Sequence, residues 1–291
     1  MRAFRTKFGK FSGPDLHLLS FLVGHLLWDT YLPIFTLLEL FNLEDEAVLL
    51  TRRAKTECHL GDRGFPFLLA RQNQVLVEDN LTRPGVAKSN RFVCARHMLA
   101  GMAWLTDHGV NSHGFLNTDF FQPENIGRGP QLARFRDHLL RNANLTLMDL
   151  SSREVRAKPY KVTFSLLSSK YPDRRLNFSN EMAAVADRFG SRIIMEGIAM
   201  WNHSILQQME FASQSAIYVS VVGGGTFPAY FLPKGASLIL YASREIGMLD
   251  WDLWTNYRDV HTHWLDLDAM NVEVLIQLVE DELQRMESVF L

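Results

Sequence analysis

In the C-terminal half of this chain, short and mostly apolar runs alternate with runs in which apolar residues recur every three or four positions. KVTFSLL, from Lys161, predicts a buried strand, and NEMAAVADRFG, from Asn180, an amphipathic helix closed by Gly190. SRIIMEG then predicts a strand, HSILQQMEFASQS a helix, AIYVSVV a strand, TFPAYFLPKG a short helix and ASLILY a further strand. DWDLWTNYRDV is helix-like, HTHWLDL a short strand and VEVLIQLVEDELQRMESVF a long final helix. Alternation of this kind implies parallel pairing through right-handed crossovers, so a Rossmann-like α/β domain is expected.

The N-terminal half is less regular. Residues 16–41 are helical in pattern and apolar on most faces. EAVLLTRR, PFLLARQ and QVLVED predict short strands, RFVCA a strand leading into the helix HMLAGMAWL, and LARFRDHLLRNANL a further helix. The stretch 106–131, rich in Gly, Asn and Pro, predicts a long loop. A polar segment, SSREVRAKP, begins at Ser151 and marks a domain boundary. The expected architecture is two Rossmann-like domains facing a cleft, over 1–150 and 151–270, with the helix over 271–291 able to cross back to the first. Ligands of such sheets sit outside the carboxyl ends of the strands.

Composition narrows the class. Hydrophobic residues make up 47% of the 291 and charged residues 21%, the balance of a globular protein with a sizeable core. A formal net charge of -2 with no basic run argues against a general nucleic-acid binder. Cys58 and Cys94 are far apart and form no CxxC, which fits a reducing compartment. The basic start, MRAFRTKFGKFSGPD, lacks a signal peptide's apolar core, and the stretch 16–40 is broken by His25, Asp29, Pro33 and Glu39. Neither a secretion signal nor a membrane span is expected, and the predicted location is cytoplasmic.

The candidate chemistry centres on a triple glycine. Gly223, Gly224 and Gly225, followed by Thr226, stand between a strand and a short helix. Glycines allow positive φ and close backbone approach, and free N–H groups at a helix start hold anions. The turn therefore predicts a phosphate site, with the Thr226 hydroxyl as a further contact. The same residues also suit a tight strand-to-helix reversal with Thr226 as N-cap.

His25 and Asp29 lie four apart, hence on one helix face, in apolar surroundings. They suit a general base and its orienting partner, or a hydrogen bond that locks the helix to a neighbour. Arg174 and Arg175, with Lys170 nearby, follow a strand and suit a diphosphate, or a surface pair with Asp173. Glu245 is a candidate for a nucleotide ribose. Asp250-Trp251-Asp252 spells D-x-D, a spacing that holds a divalent cation on a diphosphate but also arises by chance. His261 and His263 have no third ligand and are expected to pack or touch sugar.

The order of GHLLWDTYLPIF, RFVCARHMLAG, LARFRDHLL, KVTFSLLSSKYPDRRLNFSNEM, the glycine turn with its FLP run, and DVHTHWL resembles the family 61 glycosyltransferases. The similarity lies with the branch that holds the EGF-repeat O-GlcNAc transferase and plant β-1,2-xylosyltransferase, and covers residues 24–264. The chain departs from the family at Val222, where relatives place a His, at Gly224, often Ala, and in having Glu245 as the nearest carboxylate after the turn.

The resemblance implies a GT-B-like, inverting transferase that needs no metal cofactor. Its donor would be a UDP-sugar, xylose or GlcNAc favoured, held by the C-terminal domain. Its acceptor, a hydroxyl of a glycan or glycoprotein, would face the N-terminal domain. Neither nucleic acid nor a membrane span enters this reading. A non-catalytic sugar-nucleotide or glycan binder of the same fold is one alternative, favoured by Val222. A nucleotide-dependent oxidoreductase is a second, weakened by the lack of an early G-x-G-x-x-G.

Overall fold

Five of the apolar runs become the strands of one parallel sheet in the computed structural model, which describes residues 26–45, 49–51, 66–69, 75–77, 125–146, 148–151, 159–168, 172, 175–242 and 248–288. The strands are β3 (Tyr160–Ser165), β4 (Ile193–Ile198), β5 (Ile217–Val221), β6 (Ser237–Ala242) and β7 (His261–Asp266), in the order β4-β3-β5-β6-β7. The chain runs outward from β3 to β4, then returns across β3 to β5 and continues in the other direction. The order therefore reverses between β3 and β5, which opens a crevice at their carboxyl ends.

Pairing sets the two faces. Phe164 lies beside Val219, and Val221 beside Tyr241, so these residues share one face. Helices α4 (Ser179–Phe189) and α7 (Val272–Ser288) cover it. Phe178, at the start of α4, packs on Phe164 and Tyr241, with both centroid distances 5.6 Å. The other face carries Thr163, Ser165, Tyr218 and Ser220. Here α5 (Ile205–Ser213) is anchored where the Ser215 hydroxyl meets that of Thr163 at 2.7 Å. Helix α6 (Met248–Asn256) lies on the same side, where the Thr262 hydroxyl donates to the Trp254 carbonyl at 3.3 Å. With both faces covered, β5 is buried throughout and reads as an apolar run broken only by Ser220.

Local signals explain the helix ends. Ser204 caps α5 in a reciprocal capping box with Gln207. Gly190 ends α4 at φ +48°, a conformation glycine adopts without strain. The segment that follows Gly223, Gly224–Phe231, is a 3-10 helix rather than an α-helix and carries Pro228 inside it.

The described N-terminal residues pack onto the same core. Leu26–Tyr31 forms a π-helical turn that runs into α1 (Leu32–Leu40). Pro33 lacks the N–H that would bond the Asp29 carbonyl, and its ring crowds that carbonyl, which favours the wider turn upstream. Strands β1 (Leu49–Thr51) and β2 (Val75–Val77) form a separate parallel pair. PFLLARQ, read as a strand, instead contributes α2 (Pro66–Leu69). Helix α3 (Gly129–Asn142) begins inside the stretch read as loop. It holds α2 through His138 Nε2, 2.7 Å from the Leu69 carbonyl, and Asn142, which donates to that of Leu68 at 2.8 Å.

Arg136 joins α3 to the C-terminal half. Its buried guanidinium donates to the Tyr257 hydroxyl and to Asp259, each at 2.9 Å. The long final helix lies against α4 and the sheet. Glu282 of α7 is 5% exposed and accepts from Ser237, from Arg285 Nε at 2.7 Å and from His263 Nε2 at 2.8 Å. Among the described residues no helix is long and apolar enough to cross a membrane.

Candidate functional site

The triple glycine sits on the crevice made by the strand-order reversal. β5 ends at Val221, and Val222 still belongs to the sheet, donating its N–H to the Tyr241 carbonyl at 2.9 Å. The chain then turns at Gly223, whose φ of +123° and ψ of -154° are open to glycine and costly for any other residue. Thr226 closes the turn by donating its N–H to the Gly223 carbonyl at 2.9 Å and its hydroxyl to the same oxygen at 2.7 Å. Its hydroxyl thus points backward as a donor, and Gly223 rather than Thr226 occupies the cap position.

Each glycine has a different reason to be there. Gly223 is required by its backbone angle. Gly225 is required by packing, because a Cβ there would run into the Ser168 side chain. Gly224 is solvent-exposed and begins the 3-10 helix. The N–H groups of a helix's first turn have no carbonyl one turn earlier to bond, so its exposed backbone offers a donor edge.

Beneath the turn lies a group of hydroxyls that the sequence reading did not single out. The Tyr218 hydroxyl donates to the Gly225 carbonyl at 3.4 Å, and burial raises the pKa of this phenol well above its ordinary value. Ser165 ends β3 beside it, fully buried, with a hydroxyl that makes no well-formed hydrogen bond among the described residues. Ser220 donates only to the adjacent Val221 carbonyl, at 3.2 Å. Ser168 leans on Gly225 from the loop after β3. That loop is closed at its base by the Leu167 N–H, which donates to the Leu176 carbonyl at 2.7 Å. Leu167 itself has φ +52°, an uncommon angle for a branched residue.

The same loop carries the expected cations. Arg175 is exposed and follows Pro172, whose carbonyl accepts the Arg175 N–H at 3.1 Å. It stands on the carboxyl side of β3, the strand next to the one that leads into the glycine turn. Lys170, Arg174 and Glu245 lie outside the described residues, as does His25. Asp29 lies on the π turn, and only its backbone is described.

Trp28, next to Asp29, links this turn to the glycine segment. Its ring meets that of Tyr230, on the 3-10 helix opened by Gly224, at 4.5 Å and edge-on. Tyr230 is fixed from two further sides: its hydroxyl donates to the Leu132 carbonyl of α3, and its own carbonyl accepts the Tyr257 hydroxyl at 3.2 Å.

Two other motifs have structural partners. Asp252 of the D-x-D is 5% exposed and accepts from the Asn125 backbone at 3.0 Å, the Asn125 amide at 2.8 Å and the Asn256 amide at 3.0 Å. Its carboxylate ties α6 to the chain ahead of α3. The side chain of Asp250 is not described. His263 pairs with Glu282, and burial with the nearby Arg285 charge lowers the basicity of His261. Both histidines start β7, at the opposite end of the sheet from the glycine turn. No group of three or more potential metal ligands occurs among the described residues. No family model matches this chain, and no curated protein matches it.

Proposed function

We propose that the chain is an inverting glycosyltransferase that uses a UDP-sugar. The observation that carries this reading is the exposed Gly224 at the carboxyl end of β5, on the crevice where strand order reverses. The backbone there suits a diphosphate, and Arg175 follows the neighbouring strand. The Trp28–Tyr230 contact supports it further, because it holds the turn bearing Asp29 against the segment that begins at Gly224. Order of motifs along the chain supports the family 61 type and a GT-B-like pair of domains, with the N-terminal one taking the acceptor.

In this reaction His25, oriented by Asp29, removes the proton of an acceptor hydroxyl on a glycan or glycoprotein. The oxygen attacks the anomeric carbon from the face opposite UDP, and the bond to the diphosphate breaks. Arg174 or Arg175, Lys170 and the turn amides take up the charge that develops on UDP, without a metal ion. Glu245 is assigned to the ribose. Xylose and GlcNAc are the favoured sugars by resemblance.

A second reading is a binder of the same nucleotide sugars without turnover. Val222 favours it, since this buried residue is locked into the sheet at the position where family 61 enzymes carry a His. Thermal-shift screening against UDP-, GDP- and CMP-sugars tests both readings, and no stabilisation by any of them sinks both. Given donor binding, His25→Ala is expected to keep it and to lose UDP release in the presence of acceptor. Turnover equal to the parent protein's would refute His25 as base.

A further inference from the structure

Ser168 was invisible as a site residue in the sequence, yet it occupies the crevice. It is 8% exposed, and its side chain stands against Gly225 so closely that no Cβ fits there. Among the described residues its hydroxyl has no hydrogen-bond partner. The hydroxyl is therefore free to donate to an added acceptor. The hydroxyl is also held firmly. Leu167, just before it, takes a left-handed backbone angle and closes the loop onto Leu176. On the turn side, Gly223 and Thr226 are locked by two hydrogen bonds. A donor hydroxyl beside Gly225 and the exposed backbone of Gly224 thus lie on segments that leave adjacent strand ends.

We propose that the Ser168 hydroxyl is a phosphate-binding group that donates to a diphosphate oxygen lying along the Gly224 backbone. This rests on the nucleotide-diphosphate reading above. It makes the β3 loop a direct ligand contact as well as a carrier of cations, and it gives the contact between Ser168 and the glycine turn a binding role.

The test is calorimetric titration of UDP, and separately of inorganic pyrophosphate, into the parent protein and Ser168→Ala, with melting temperatures of the unliganded proteins. The variant keeps Cβ, so the contact with Gly225 survives. A hydrogen bond to a charged group predicts about a tenfold or greater loss of affinity for both ligands. The melting temperature is expected to stay unchanged. Equal affinity in the two proteins overturns the proposal. So does an affinity loss accompanied by a lower melting temperature, which makes Ser168 a packing residue. If the parent protein binds pyrophosphate but not UDP, the nucleotide reading falls, and the pyrophosphate titration still decides the role of Ser168. If it binds neither, both fall.

Discussion

The Trp28 ring stands edge-on to that of Tyr230, with centroids 4.5 Å apart and planes at 79°. Trp28 is 8% exposed and Tyr230 fully buried, so the pair is part of the core. Edge-to-face aromatic pairs add to the area they bury. Replacing Trp28 by Ala leaves a cavity beside Tyr230 and is expected to cost about 3–5 kcal/mol, read by urea unfolding. Trp251→Ala is the control: at 48% exposure it is expected to change stability by no more than about 0.5 kcal/mol. Equal costs for the two would mean that the Trp28–Tyr230 contact does not hold the N-terminal segment.

The acid limb of stability is predicted to run through Glu282. Burial alone would raise its carboxyl, but hydrogen bonds from His263, Ser237 and Arg285, with the Arg285 charge, outweigh it and pull it from 4.5 to about 2. A folded-state value below the unfolded one gives stability that is complete above about pH 4.5 and is lost as pH falls towards 2. The full contribution is on the order of 3 kcal/mol. Glu282→Gln should therefore flatten the stability profile between these limits in pH-dependent denaturation. An unchanged slope would assign the acid sensitivity to other groups.

Asp252 is predicted to matter for folding rather than for metal. Its carboxylate accepts three hydrogen bonds from Asn125 and Asn256, and truncation strands those donors in the interior. Asp252→Ala is expected to lower stability by about 2–4 kcal/mol in chemical denaturation. UDP affinity of the folded fraction is expected to be the same with and without EDTA. Affinity that depends on added manganese would return the D-x-D to the site.

How far the sequence could be read differed between the halves. The strands β3 to β7 were legible because apolar runs such as AIYVSVV and ASLILY are sharply bounded, and strands buried on both faces keep few polar positions and almost no charges. Their order was not, since alternation of strand and helix fixes the pairing sense but not which strand sits next to β3. In the N-terminal half, PFLLARQ gave a helix where a strand was read, because a four-residue apolar run has no period to distinguish the two. The stretch 16–41 was read as helical throughout, yet the π turn over Leu26–Tyr31 follows from the hydrogen bond that Pro33 cannot give to Asp29, an effect with no compositional signature.

The glycine turn was legible as a possible phosphate site, although two of its three glycines have structural reasons in the fold. Gly223 answers to its backbone angle and Gly225 to Ser168. Ser168 itself could not be found in the sequence, because its significance comes from a contact between loops that follow different strands.

Gly224 is the exposed glycine of the three, and the diphosphate site stands or falls on it. Calorimetric titration of UDP into the parent protein and into Gly224→Val puts the question directly. Saturable binding to the parent, no binding to the variant and equal melting temperatures are the expected results. Equal UDP affinity in the two proteins, or no binding to the parent protein, would contradict a donor site at this turn.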